Sequence, residues 1–431
     1  MAALLAAGPI GDAAAQTPDT ASPLTLEAAL RAAETRSHSL EAQDAAARSA
    51  REMAVAAGRL PDPMLRLSID SLPTDGPKRY SLTEDFMTQR SVGLTQTLTR
   101  EGKRLARSAR FAREGDAAQA MRGMQLTVLR RQTAQAWFDR YYRQQMVDLL
   151  ARQRDEAALQ IEAATAAYRA GRGAQADVFA AQAAVARIDD RIREARARLT
   201  NAGTSLARWV GDAAFAPLGD APPIAQTRLA ARALAPQLDL HPDIALMASR
   251  EALAQAEAEV ARQDKTTDWT VSLMYGQRGP AFSNMLTVAV SVPLQWDQKN
   301  RQDRELAAKL ARADQVRAER EELGRERMAQ MQRWLATWQS NLERLGDYDK
   351  TLIPLAGERT RAALAAYRGG KAALAAVLDA RRMEIDTRVE RLRIEMETAA
   401  LWAELEFLMP EPPTQGQDKV LPLTTSWEQS Q

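Results

Sequence analysis

The sequence contains two copies of one unit of about 200 residues. Two strand-like segments and one turn segment recur in the same order in both halves. The matched pairs are Leu60–Asp70 with Lys265–Tyr275, Ser91–Leu98 with Thr287–Leu294, and Ala167–Gln182 with Ala366–Arg381. Because each copy must form the same elements, the duplication predicts a first repeat at 16–240, a second repeat at 241–409 and a tail at 410–431.

Each repeat begins with a predicted helix, at about Thr25–Gly58 and Asp243–Gln263, and continues with two predicted strands. The strands alternate between apolar and polar residues, so each has one apolar face. We assign to this face Leu65, Leu67, Ile69, Val288, Val290 and Val292. Two interpretations fit this pattern: the apolar face is turned to lipid, or the strands form an ordinary hairpin with one buried face.

Long helical hairpins are predicted after the strands. Lys103–Ala170 predicts one almost uninterrupted helix, about 100 Å long at 1.5 Å per residue, and the second repeat predicts a helix from Lys299. The hairpins turn at Gly171 and Gly370, and the returning helices carry small and aliphatic residues at heptad spacing, a pattern typical of closely packed helices. Pro354 is expected to kink the helix that leads to the second turn.

Composition argues against several classes of protein. The chain has no cysteine, which excludes disulfides, thiolate metal sites and a lipid-modified N-terminal cysteine. With two histidines, no phosphate-binding loop and no metal-ligand spacing, we expect no enzyme, no cofactor and no metal site. The 58 basic and 56 acidic residues leave a net charge of +2, far from the basic excess of a nucleic-acid binder.

The first 15 residues predict an export signal. A short apolar run there ends in Ala13-Ala14-Ala15, a small-residue cleavage site. No run of 18 apolar residues occurs, so no membrane-spanning helix is predicted.

The duplicated strand pairs, the hairpins and the turn motif A-Y-x-x-G, at Ala167–Gly171 and Ala366–Gly370, resemble in this order the outer-membrane efflux proteins. These are the TolC-like channels of tripartite efflux pumps. The resemblance covers about Thr25 to Met409 and implies a mostly α-helical fold with a small β part. In such a fold, three chains contribute four strands each to a twelve-stranded outer-membrane β-barrel, which a periplasmic α-helical coiled-coil barrel continues.

The resemblance also implies a function. It implies a homotrimer in the outer-membrane lipid that acts as a passive exit duct, opened by a periplasmic adaptor and fed by an inner-membrane pump. The sequences of the LPDP segment at Leu60–Pro63 and of the loop at Ser71–Arg90 resemble those of family members that export heavy-metal cations. The alternatives are a general duct for drugs and organic solutes, or a soluble periplasmic coiled-coil adaptor or scaffold, which would lack the paired strands.

The resemblance assigns the bonds of the closed channel to the hairpin tips. Gly171 and Gly370 match the turn glycines of the family. Tyr367 and Asp177 match a tyrosine and an aspartate that bond between neighbouring hairpins in the closed channel. Lys371 takes the place of the partner arginine, whose own position here is alanine.

The same tips hold the aspartates that narrow such a channel. Asp379 matches one of the two, and Ala376 replaces the other. The alternative is that Tyr367 is a packed hairpin aromatic, and that Asp177 and Asp379 are solvated carboxylates at helix starts.

Overall fold

The structure is a computed structural model that describes residues 23–229, 234 and 238–409. Two compact units divide the chain. One unit contains residues 23–36, 129–227 and 337–404, and the other contains the described residues of 37–128, 228–336 and 405–409. Each unit therefore draws segments from both sequence repeats. The predictions for residues 1–15 and 410–431 lie outside the described residues.

The elements follow the order that the duplication predicts. They are α1 (Leu26–Thr35), α2 (His38–Ala57), β1 (Met64–Asp70), β2 (Gln89–Leu98), α3 (Glu101–Arg169), α4 (Gln175–Val210), α5 (Pro242–Gln263), β3 (Trp269–Gln277), β4 (Met285–Ser291), α6 (Gln302–Asp347), α7 (Ile353–Arg368) and α8 (Leu374–Glu406). A 3-10 helix, Gly211–Phe215, follows α4, and a π-helical turn, Tyr348–Leu352, joins α6 to α7. In the described part of the chain, no helix is long and apolar enough to cross a membrane.

Two predicted helix boundaries are wrong. The helix predicted from Thr25 to Gly58 is two helices, because the Ser37 hydroxyl accepts a hydrogen bond from the Leu40 amide and caps α2. In the second repeat, α6 begins after Lys299, because the Asn300 side chain donates to the carboxylate of Asp297 at 2.8 Å and holds a turn there.

The predicted interruption at Pro354 takes the form of the π-helical turn directly before it. There the amide of Ile353 donates to the carbonyl of Tyr348, five residues back. Pro354 has no N–H, and its ring would crowd the carbonyl four residues earlier in a regular α-helix. The wider π turn relieves that crowding without ending the helical path.

The strands of both repeats form one antiparallel sheet in the order β1-β2-β3-β4. The first repeat joins the second where β2 pairs with β3. Within the described residues, the outer edges of β1 and β4 have no partner strand. Val292, which the sequence predicts in the last strand, lies just after it, because the pairing of β4 ends at Ser291 opposite Thr270.

The residues at heptad spacing form the core between the hairpin helices. Ala181, Val185, Ile188, Ile192 and Ala195 of α4 are buried. Part of this seam packs with α3 and α8 in one cluster, which contains Val147, Leu150, Ala157, Val185, Ile188, Ile192, Ala195 and Ile385. The prediction of closely packed hairpin helices is therefore confirmed.

Candidate functional site

The sheet exposes the apolar face that the alternating pattern predicts. Leu65 is 66% exposed, Leu67 is 72% exposed and Val288 is 65% exposed. Ile69, Val290 and Val292 are exposed as well. Large aliphatic side chains at this exposure are unusual in a soluble domain when they are contiguous, and they mark a surface that meets a partner or a lipid.

A row of aliphatic residues crosses all four strands on this face. The register places Leu65 opposite Leu94, Leu94 opposite Leu273, and Leu273 opposite Val288. Leu94 and Leu273 were missed as site residues by the sequence analysis, although the alternation of β2 and β3 contains the signal. Directly paired residues of antiparallel strands point to the same side, so the apolar face is continuous across the sheet.

The opposite face of the sheet is polar. On β1 it carries Arg66, Ser68 and Asp70. The Asp70 carboxylate accepts hydrogen bonds from the Ser68 hydroxyl at 3.1 Å and from the Ser91 hydroxyl of β2 at 2.7 Å. The Arg66 side chain is exposed and has no hydrogen bond or ion pair within the described residues.

A buried ion pair fixes the start of α3. The side chain of Lys103 is only 7% exposed, and its ammonium group lies 3.1 Å from the carboxylate of Asp268 and 3.8 Å from that of Asp264. Arg107 also pairs with Asp264, at 3.2 Å. These contacts join α3, which follows β2, to the segment that precedes β3. They fix the end of β2 and the start of β3 relative to each other.

The two hairpin tips have the same backbone. Gly171 has a φ of +67° and Gly370 has a φ of +69°, a left-handed conformation that only glycine adopts at low cost. In both tips the residue after the glycine donates to a carbonyl five residues back, which closes the helix end. These bonds join Arg172 to Ala167 at 2.9 Å and Lys371 to Ala366 at 2.8 Å. The predicted turn positions are confirmed.

Asp177 serves its own hairpin in the structure. It lies in the first turn of α4, and its carboxylate accepts a hydrogen bond from the Ala174 amide at 3.2 Å. A carboxylate at a helix N-terminus also interacts favourably with the helix dipole. This contact is the one that the alternative interpretation of a helix-start carboxylate predicts.

Tyr367 packs where the two hairpins meet. Its ring packs, partly buried, against a cluster of Ala164, Ala181, Leu374 and Val377, which come from both hairpins. Within the described residues, the Tyr367 hydroxyl makes no hydrogen bond, and no bond joins it to Asp177. The single chain therefore brings the two hairpins together at the tips without forming the tyrosine–aspartate bond.

Lys371 and Asp379 are exposed near the second tip. Neither forms an ion pair with any residue that the structure describes. Both charges are thus available to a neighbouring hairpin or another protein, and their assigned roles stay predictions.

The π-helical turn carries a charged contact that the sequence analysis missed. Arg391 of α8 binds both oxygens of the Asp349 carboxylate, at 2.9 and 3.1 Å, and also pairs with Glu395. The hydrogen bond from Arg391 holds the pKa of Asp349 below its ordinary value. Burial raises the pKa of Glu395 above its ordinary value, although Arg391 opposes that shift.

Among the described residues, no group of three or more histidine, aspartate or glutamate side chains is placed to hold a metal ion.

No protein-family model and no curated protein matches the chain. Solved structures do match. The outer-membrane protein VceC of Vibrio cholerae has a TM-score of 0.71 at 17% identity, over 89% of this chain and 94% of that one. The CmeC outer-membrane channel of Campylobacter jejuni has a TM-score of 0.74 at 11% identity, over 90% and 87%. The open state of the MtrE outer-membrane channel of Neisseria gonorrhoeae has a TM-score of 0.66 at 16% identity, over 89% and 88%.

The chain has the TolC-like outer-membrane channel fold. The mostly helical fold with a small antiparallel sheet, which the resemblance implies, is confirmed. At these identities the TolC-like fold is established by the comparisons, while the role of each side chain depends on its own contacts.

Proposed function

We propose that this chain is the outer-membrane exit duct of a tripartite efflux system. The observation that carries the proposal is the exposed apolar face of a sheet whose two outer edges have no partner strand among the residues that the structure describes. The TolC-like channel fold supports it. A soluble periplasmic adaptor or scaffold is disfavoured, because an exposed sheet with one continuous aliphatic face would aggregate in water.

The unpaired edges require more than one chain. Unpaired backbone groups are not tolerated in lipid, so four strands alone cannot span a membrane. In a ring, β1 of one copy pairs with β4 of the next, and three-fold symmetry closes the barrel with twelve strands. The apolar residues, Leu67 among them, then face lipid, and the polar face lines the lumen.

Transport through this duct is passive. The inner-membrane pump supplies the energy, and a periplasmic adaptor contacts the exposed hairpin tips at Gly171 and Gly370 and opens them. Tyr367, Asp177 and Lys371 hold the closed tips between neighbouring hairpins, and Asp379 lines the narrow part. The exposed charges of Lys371 and Asp379, which have no partner within the described chain, support contacts of this kind.

For the exported solute we propose heavy-metal cations. The described strands carry three methionines, Met64, Met274 and Met285. The register pairs them with Thr95, Gly93 and Gly276, which places all three on the polar face of the sheet. Thioethers are soft ligands that suit ions such as Cu(I). General drug export is the alternative.

A deletion strain tests the function. It is challenged with heavy-metal ions and, separately, with hydrophobic drugs and detergents. Restored growth with the wild-type gene and with a Ser68→Arg variant, but not with Leu67→Arg, supports an outer-membrane duct whose apolar face lies in lipid. Selective metal sensitivity supports the metal assignment, and broad drug sensitivity contradicts it. A deletion strain without any sensitivity contradicts the efflux function.

A further inference from the structure

The polar face of the sheet carries very few charges. The side chains that share this face on the described strands are Met64, Arg66, Ser68, Asp70, Gln89, Ser91, Gly93, Thr95, Thr97, Thr270, Ser272, Met274, Gly276, Met285, Thr287, Ala289 and Ser291. Only Arg66 and Asp70 are charged. Both lie on the edge strand β1, and one serine separates them.

These two charges are held differently. Asp70 lies at the end of β1, is partly buried and accepts hydrogen bonds from two hydroxyls. Arg66 is exposed and has no carboxylate partner within the described residues. It lies opposite Gly93, whose neighbour Met274 approaches so closely that an added Cβ would lie 2.5 Å from its Cγ. No side chain of β2 therefore covers the guanidinium from that position.

We propose that Arg66 determines the charge selectivity of the exit barrel, so that the barrel favours anions over cations. The inference rests on the proposed function, because it needs the polar face to line a lumen. Three copies then place three guanidinium groups without a carboxylate partner on one level of the wall, about 13 Å along the strand from the level of Asp70. Rings of arginine or lysine side chains select anions in pores in this way, and lumen-facing residues of outer-membrane barrels tune selectivity.

The ring of Arg66 side chains bears on the charge state in which a metal ion is exported. A free divalent cation meets a repulsive level at Arg66, while an anionic or neutral species does not. An exported metal ion therefore passes this level more readily as an anionic or neutral complex than as the free ion. The effect is electrostatic, so it weakens as the Debye length shortens from about 30 Å at 0.01 M salt to about 10 Å at 0.1 M.

The absence of cysteine from the chain allows a local test. A Ser68→Cys variant places one thiol on the lumen face, about 7 Å along the strand from Arg66. In purified protein in lipid vesicles, the thiol is modified by a negatively and a positively charged methanethiosulfonate reagent of similar size. The ratio of the two rates reports the local potential and does not depend on whether the tips are open.

Because the Ser68 hydroxyl also bonds to the Asp70 carboxylate at 3.1 Å, a thiol at this position senses both charges, and the change in the negative-to-positive rate ratio when Arg66 is replaced isolates the effect of the guanidinium. Replacing Arg66→Gln in this background should lower the rate ratio by about three- to tenfold at low salt. Arg66→Lys should keep the ratio, and Arg66→Glu should lower it further than Arg66→Gln does. Arg90→Gln is the matched control. Arg90 lies opposite Ile69 on the apolar face, so this substitution removes the same charge from the face that does not line the lumen. That control should leave the ratio unchanged.

The outcomes separate the two claims. If the Ser68→Cys thiol reacts but Arg66→Gln leaves the ratio unchanged, the selectivity inference is wrong and the duct stands. An equal effect of Arg66→Gln and Arg90→Gln also overturns it, because the charge would then act without regard to the lumen. If the protein forms no trimer and the thiol is shielded by lipid, the proposed arrangement of the barrel is wrong, and the inference fails with it.

Discussion

Asp177 and Ala376 occupy equivalent positions in two copies of the same turn, and only Asp177 accepts a hydrogen bond from the start of its helix. The two turns otherwise have the same glycine conformation and the same closing backbone bonds. The first tip is therefore reinforced by a carboxylate that the second tip lacks. The duplicated chain therefore has two hairpin tips with the same backbone conformation, and this contact makes their local stability unequal.

Exchanging these residues should exchange the local stabilities. We expect Ala376→Asp to stabilise the start of α8 by about 0.5–1 kcal/mol, through the same contact and the helix dipole. Asp177→Ala should destabilise the start of α4 by a similar amount. Amide hydrogen exchange at residues 174–178 and 373–377 measures both effects. Equal protection of the two tips in the wild-type protein would contradict this account.

Removing the hydroxyl of Tyr367 should open the tips. Tyr367→Phe keeps the ring that packs between the hairpins but loses the bond proposed to reach Asp177 of a neighbouring hairpin. We expect a higher ion conductance across a planar bilayer, and a further rise when Asp177 and Tyr367 are both replaced by alanine. Asp177→Asn serves as the comparison, because asparagine can still cap α4 without the charge.

An unchanged conductance in Tyr367→Phe and in the double alanine variant would assign Tyr367 to packing and Asp177 to capping alone. Those are the contacts that the single chain already forms.

Adjacent residues of β1 should respond in opposite ways to the same substitution. Leu67→Arg places a charge on the apolar face and should impair assembly at a cost of about 2–4 kcal/mol near mid-membrane depth. Ser68→Arg places it on the polar face and should be tolerated. The amount of trimer recovered from the outer membrane measures the difference. Equal recovery would mean that the sheet faces are wrongly assigned.

The ion pair at the π-helical turn should make stability depend on pH in the acid range. Because Arg391 lowers the pKa of Asp349, the pair stabilises fully above the ordinary aspartate pKa of about 4. The stabilisation is lost as the pH falls through the lowered pKa. Asp349→Asn should therefore cost less than about 1 kcal/mol at neutral pH, since the side chain is half exposed, and nothing at strong acid.

Thermal unfolding of both proteins at several pH values measures this difference. Glu395 is present in both proteins, but Asp349 contributes to its raised pKa, so the two proteins are compared in the acid range where Glu395 is already protonated. A gap between the two proteins that does not narrow as the medium becomes acid would contradict the assignment.

The sequence predicted the order of the helices and strands, and which of their faces are exposed or buried. It could do so because the two-residue alternation of the strands and the heptad spacing of the helices are both strong. The alternation of Leu65, Leu67 and Ile69 predicted the exposed face, and the heptads of α4 predicted the buried seam. Glycine predicted both turns, since Gly171 and Gly370 need a left-handed backbone.

Local hydrogen bonds decided what periodicity could not. The break before α2 depends on one serine cap at Ser37, and the late start of α6 depends on Asp297 and Asn300. The pair of Asp349 with Arg391 joins residues 42 positions apart, which no local pattern predicts. The bonds of Tyr367 and Asp177 to other chains depend on an assembly that one chain does not contain.

The central claim is that the apolar sheet face lies in lipid and that three copies close the barrel. The most direct measurement is the mass of the protein extracted from the outer-membrane fraction with a mild detergent, corrected for the bound detergent. The account predicts a complex of three chains that is released only with detergent. A monomer that leaves the cell envelope without detergent would contradict it.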